Sequence, residues 1–112
     1  MVLVIPGNPA TGSTVSIRLV VPCAGTITAV KSTCRTAPSS GTYTYDILKN
    51  GSTIYTTTSN RPTRTSSDGT DVKNHTLPDT TSFSAGDVFT VDLVSAGSGI
   101  SDVTFFVEFD EA

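Results

Sequence analysis

The chain contains no tryptophan, one histidine, one methionine and two cysteines in 112 residues, and only 15% of those residues are charged. Seven Lys and Arg stand against ten Asp and Glu, a net charge of −3. Binding a phosphate backbone requires clustered cations, so no nucleic-acid partner is expected. No apolar run approaches the roughly 18 residues needed to cross a bilayer, which removes a helical membrane anchor from the expectation. The opening Met1-Val2-Leu3-Val4-Ile5-Pro6 has no basic segment before its apolar residues, so it reads as a short first strand and not as a signal peptide.

Catalytic and metal signatures are equally scarce. His75 has no nucleophile or carboxylate beside it in sequence, and no Ser sits in a nucleophile-elbow motif. Cys23, Cys34 and His75 lack zinc spacing. Asp68-Gly69-Thr70-Asp71 lacks the remaining acidic ligands of a calcium loop and reads as an ordinary turn. The expectation is a protein that is not an enzyme, with no cofactor and no metal. If residues 25–32 form one extended strand, Cys23 and Cys34 lie roughly 30 Å or more apart at about 3.3 Å per residue, far beyond the roughly 7 Å reach of a disulfide. Only a sharp reversal after Ser32 would join them; otherwise they are two free thiols of a reducing compartment.

What is abundant is Ser and Thr, about three residues in ten, with nine Gly and six Pro. Thr suits half-solvated strands, and Ser, Gly and Pro supply turns. No segment sustains a helical period. Val88-Phe89-Thr90-Val91-Asp92-Leu93-Val94 instead places Phe89, Val91 and Leu93 on one side and Thr90 and Asp92 on the other, the two-residue period of a half-buried strand.

The same alternation predicts a strand over residues 14–21, with Val15, Ile17, Leu19 and Val21 inward. It predicts another over residues 42–49, with Tyr43, Tyr45 and Ile47 inward. Between them, Ile27 and Val30 lie three apart, so the period slips once and a β-bulge is expected. Asn50-Gly51 is a two-residue hairpin signal, because a type I′ turn needs positive φ at both positions. The closing strand, residues 103–109, points Val103, Phe105, Val107 and Phe109 inward and leaves Phe106 outside beside Glu108. Residues 72–77 read as a weak edge strand, and Phe83 as a core residue in a loop.

These strands predict one all-β domain over residues 1–112: a two-sheet antiparallel β-sandwich, a jelly roll of about eight strands. Residues 1–14 form an extended N-terminal arm or edge strand. With no Trp, no disulfide and five Phe, the core is small for a sandwich, so self-association is expected, with Phe106 and Leu48 as contact residues. Residues 59–71 are the least patterned segment and carry Arg61 and Arg64, either a solvated loop or guanidinium groups offered to a partner's carboxylates. Tyr43, Tyr45 and Tyr55 either pack the core or form a stacking face for sugars.

The stretches Val21-Pro22-Cys23-Ala24-Gly25-Thr26-Ile27, Lys49-Asn50-Gly51 and Ala85-Gly86-Asp87-Val88, in this order and spacing, resemble small β-sandwich modules of tailed-phage virions. Such modules occur as capsid decoration (cement) proteins and as domains of head or tail fibres. The resemblance spans residues 14–108 and lies in turns and strand starts, so it implies a fold and not a site. A chain opening on Met1 and ending after its last strand points to a stand-alone decoration protein. The resemblance further implies a homotrimer on the outer capsid surface that binds the major capsid protein and stabilises the virion. Its contacts are sought among Val2, Leu3, Val4, Arg61, Arg64 and Phe106. The alternative is a receptor- or carbohydrate-binding module of a fibre.

Overall fold

The computed structural model describes residues 1–112. Its strands are β1 (Val2–Ile5), β2 (Leu19–Val20), β3 (Gly25–Thr36), β4 (Thr42–Lys49), β5 (Ser52–Thr53), β6 (Thr63–Thr65), β7 (Lys73–His75), β8 (Ser82–Phe83), β9 (Val88–Ser95) and β10 (Ser101–Glu111). One sheet runs β1-β10-β3, with β7 and β8 both on the far side of β3. The other runs β2-β9-β4, with β5 and β6 both on the far side of β4. Every pairing is antiparallel. If β5/β6 and β7/β8 are each taken as one interrupted strand, eight strands follow the order 1-8-3-6 and 2-7-4-5, the connectivity of a jelly roll.

The long β3–β10 pair forms the centre of the first sheet. Glu108 faces Ala29 but Phe109 faces Ile27, so Thr28 is the extra residue of a bulge. This accounts for the slip in period, and beyond it Val30, Ser32 and Cys34 take the inward positions. The strand runs past residue 32 to Thr36, which carries Cys34 into the core. Both cysteines are unpaired. Gly25 opens this strand where a Cβ would lie 2.6 Å from the Asp110 carbonyl oxygen and 2.8 Å from the Phe83 ring, so no larger residue fits there.

Residues 14–21 depart from expectation. Only Leu19–Val20 pair as a strand, and Ile17 is 63% exposed. Thr14 takes φ +50°, which breaks the extended run, and the Ser16 hydroxyl accepts the Val91 N–H in place of a carbonyl. The segment is an edge seam: Val15 N–H donates to Val91 of the second sheet, and Ile17 N–H to Val4 of the first. It closes one open side of the sandwich, which is why alternation fails to predict its burial.

Asn50 and Gly51 take φ of 53° and 83°, as the hairpin requires, and Lys49 pairs with Ser52. Asn50 also joins two turns. Its Oδ1 accepts the Val88 N–H at 2.9 Å, and its Nδ2 donates to Asp87 Oδ1 at 2.9 Å. Asp87 in turn accepts the Ser84 N–H at 2.8 Å, and these hydrogen bonds, the Ser84 amide's first, hold its carboxyl below the usual range. The Lys-Asn-Gly and Ala-Gly-Asp-Val stretches are thus one structural unit. Asn50→Gly keeps the backbone freedom and removes the side-chain clamp, so it is expected to cost about 1–2 kcal/mol in urea denaturation. Asn50→Ala should cost roughly 1 kcal/mol more through its positive φ.

The core joins both inner faces: Leu3, Ile5, Val30, Val103, Phe105 and Val107 meet Tyr43, Tyr45, Ile47, Phe89, Val91 and Leu93. Phe83 packs edge-on against Phe89 and Phe109, and Tyr45 edge-on against Phe105. All three tyrosines are buried. The Tyr55 hydroxyl donates to the Thr76 carbonyl at 2.9 Å, whereas the Tyr45 hydroxyl has no partner. Tyr55→Phe is therefore expected to cost about 1 kcal/mol, while Tyr45→Phe should leave the melting temperature unchanged or raise it.

Candidate functional site

The densest group of polar side chains lies between the sheets beside β6 and β7. β6 pairs with β4 through Tyr43 and Arg64, which turns Arg64 inward. Arg64 is 1% exposed; it donates to the Gly69 carbonyl at 2.9 Å, to the Ser32 carbonyl at 2.9 Å and to Ser32 Oγ at 3.0 Å. Ser32 Oγ lies 2.7 Å from His75 Nε2. Arg64 donates to the same oxygen, so a neutral His75 either accepts the Ser32 hydroxyl proton at Nε2 or donates to that oxygen, according to its tautomer. Lys73 crosses in the opposite direction, donating to Thr63 of β6 at 2.7 Å and to Asp68 at 3.0 Å.

The electrostatics follow from this geometry. Burial, then the charges of Lys73 and Arg64, push the His75 imidazole down to about 4, with Asp68 opposing. Burial also raises the Cys34 thiol, against the pull of Arg64, so it stays protonated and unreactive. Burial works against ionisation of Asp68, but hydrogen bonds from the Thr65 N–H and Lys73 outweigh it, and the carboxyl is held low. Asp68 thereby caps the turn Ser66–Asp68.

Ser32 and His75 have the separation of a nucleophile and its base, yet they do not form a catalytic pair. Ser32 is 2% exposed and its lone pairs face a guanidinium, which depresses nucleophilicity. The hydrogen bonds of the cluster hold elements together.

The positions expected to meet a partner separate accordingly. Arg64 is a correction: it is a core residue and offers nothing to a partner. Leu3 is another, 1% exposed opposite Phe105 on the inner face. Arg61 is largely committed to Asp46, at 3.4 Å, whose carboxyl is raised by burial despite the Thr53 hydroxyl and the Arg61 charge. Val2, Val4 and Phe106 do face outward. Val2 pairs with Phe106 across β1 and β10, Val2 is 49% exposed and Val4 36%. Ile17, bonded at the outer edge of β1, adds to the same corner. Nothing in the pattern distinguished Arg64, because residues 59–71 carry no alternation and read as a polar loop. Ile17 was missed because alternation placed it inside.

No family model matches the chain, and no curated protein matches it. Among solved structures, the chain is similar to CBM35 from Paenibacillus barcinonensis, at 18% identity and a TM-score of 0.47, covering 96% of this chain and 88% of that one. So distant a likeness transfers neither residue nor ligand, and the jelly-roll assignment rests on the strand order described above.

The His75 geometry has a measurable consequence. Its folded value lies below the ordinary 6.5, so between those values the unfolded chain binds more protons and folding weakens as pH falls. Stability is expected to drop by on the order of 3 kcal/mol between neutral pH and pH about 4. His75→Gln, which keeps an acceptor but cannot be protonated, should flatten this part of the profile in urea denaturation; an unchanged profile would place the titration elsewhere.

Proposed function

We propose that this chain is a non-enzymatic structural protein of a tailed-phage virion, a capsid decoration protein that sits on the outer capsid surface as a homotrimer and stabilises the major capsid protein lattice. The observation that carries this reading is the apolar corner of Val2, Val4, Ile17 and Phe106 on the outer face of the β1-β10-β3 sheet. Its residues cluster, whereas scattered exposed apolar residues need no explanation. A lattice of identical subunits favours such a small patch, since three linked copies bind with an effective concentration that one copy lacks. Three-fold closure would let one corner serve both trimer and capsid contacts. The resemblance of the Ala24-Gly25-Thr26-Ile27, Asn50-Gly51 and Gly86-Asp87-Val88 turns to virion modules supports the same reading.

The alternative, a carbohydrate-binding module, would need a stacking surface other than the tyrosines, all three of which are buried. Purified protein is expected to run at about three times its monomer mass of 11.6 kDa in light scattering. It should co-sediment with expanded capsids and raise their melting temperature. Val2→Asp and Ile17→Asp, both at exposed positions, should abolish binding while leaving the unfolding free energy from urea denaturation within about 0.5 kcal/mol of wild type, as for surface changes generally. Absence of capsid binding by the wild-type protein would overturn the proposal, and saturable hits on a glycan array would favour the alternative.

A further inference from the structure

Six of the seven Lys and Arg residues have partners within the protein. Lys31 pairs with Glu108, Arg35 with Asp102, Arg61 with Asp46 and Lys73 with Asp68, while Lys49 donates to Ser82 and Arg64 to Ser32. Arg18 is the exception. It lines a surface cleft of about 270 Å³ together with Thr14, Asn50, Gly51, Val88 and Thr90, on the outer face of the β2-β9-β4 sheet. The apolar corner faces out from the other sheet, although its Ile17 directly precedes Arg18 in the seam between the two.

The lining is unusual in its chemistry. It contains one apolar residue, Val88, and no carboxylate. Arg18 brings an uncompensated guanidinium, and Thr14 and Thr90 bring hydroxyls that no hydrogen bond within the protein uses. The nearest acids are occupied: Asp87 accepts from Ser84 and Asn50, and Asp92 accepts the Thr14 N–H at 2.7 Å.

The walls are also held in place. Asn50 bonds Val88 through both its backbone N–H and its side chain, and Thr14 keeps its positive φ through Asp92. A ligand would therefore meet a preformed cleft, with little ordering left to do. An unpaired planar donor fork and adjacent hydroxyls, with the bordering Asp87 and Asp92 carboxylates engaged by other donors, match an oxyanion better than an apolar group.

We propose that this cleft binds a small oxyanion, a carboxylate or phosphate group, with Arg18 as its charge partner and Thr14 and Thr90 as hydroxyl donors. A single exposed guanidinium in a chain of net charge −3 makes this a weak site, of millimolar affinity, that salt weakens further. Titration of the full ¹⁵N-labelled chain with sodium acetate and, separately, sodium phosphate at constant ionic strength tests it. The expected result is saturable shifting of the Thr14, Gly51, Val88 and Thr90 amides by at least one of the two, the tighter ion naming the source. Arg18→Gln should weaken that binding by roughly tenfold or more while the rest of the spectrum is unchanged, since a hydrogen-bonded charge contributes over 1.4 kcal/mol. No saturable shift with either ion, or shifts of full size in Arg18→Gln, would overturn the proposal.

Discussion

A cation buried between two sheets is the constraint that organises this protein's least regular half. Arg64 leaves β6 in one sheet and delivers its guanidinium to Ser32 of β3 in the other. Lys73 runs the opposite way, from β7 to Thr63 of β6. A charge removed from water without partners costs several kcal/mol, so the surrounding chain must supply acceptors. The Gly69 carbonyl, presented by the turn around Asp68, and the carbonyl and hydroxyl of Ser32 serve the two Nη atoms, while Nε has no partner. The neutral state of His75 follows from the same charges. A segment with no hydrophobic pattern is thereby tied to the core through side-chain hydrogen bonds.

The opposite side of the sandwich is closed by different means. There the segment around Ser16 lies along both sheet edges, donating from Val15 to β9 and from Ile17 to β1, while the Ser16 side chain stands in for a ladder carbonyl. One open side is sealed by the buried Arg64 with the half-buried Lys73, and the other by a seam of backbone bonds. An all-β chain without tryptophan or disulfide therefore leaves few unpaired edges. Its outward surfaces, the apolar corner at β1 and the Arg18 cleft on the second sheet, are free for contacts because the interior is secured independently of them.

The sandwich itself was legible because its signals are local. Asn50-Gly51 demands positive φ at two successive residues, β9 alternates along its length, and the Ile27 to Val30 slip marks the bulge against Glu108 and Phe109. Each depends on neighbours in sequence, where steric and periodic rules apply. The candidate site was less legible. Val2, Val4 and Phe106 face outward, as strand parity requires of them, but the same parity put Leu3 inside, and it could not distinguish a buried Arg64 from a solvated one. Arg18 stood out only once every other cation had found its partner in space.

The amino-acid sequence by itself determined the all-β class, the turn positions, the inward faces of β4, β9 and β10, and the hairpin at Asn50, since these follow from backbone sterics and a two-residue period. Only the tertiary structure decided that Arg64 and Lys73 cross between sheets, that Ile17 lies outside and Ser16 inside, that Cys34 is a core residue, and that Asn50 links two turns 37 positions apart. Those outcomes depend on which edges approach one another. A charged side chain carries no periodic signal of the carbonyls it will meet, so its place is set by the assembled fold.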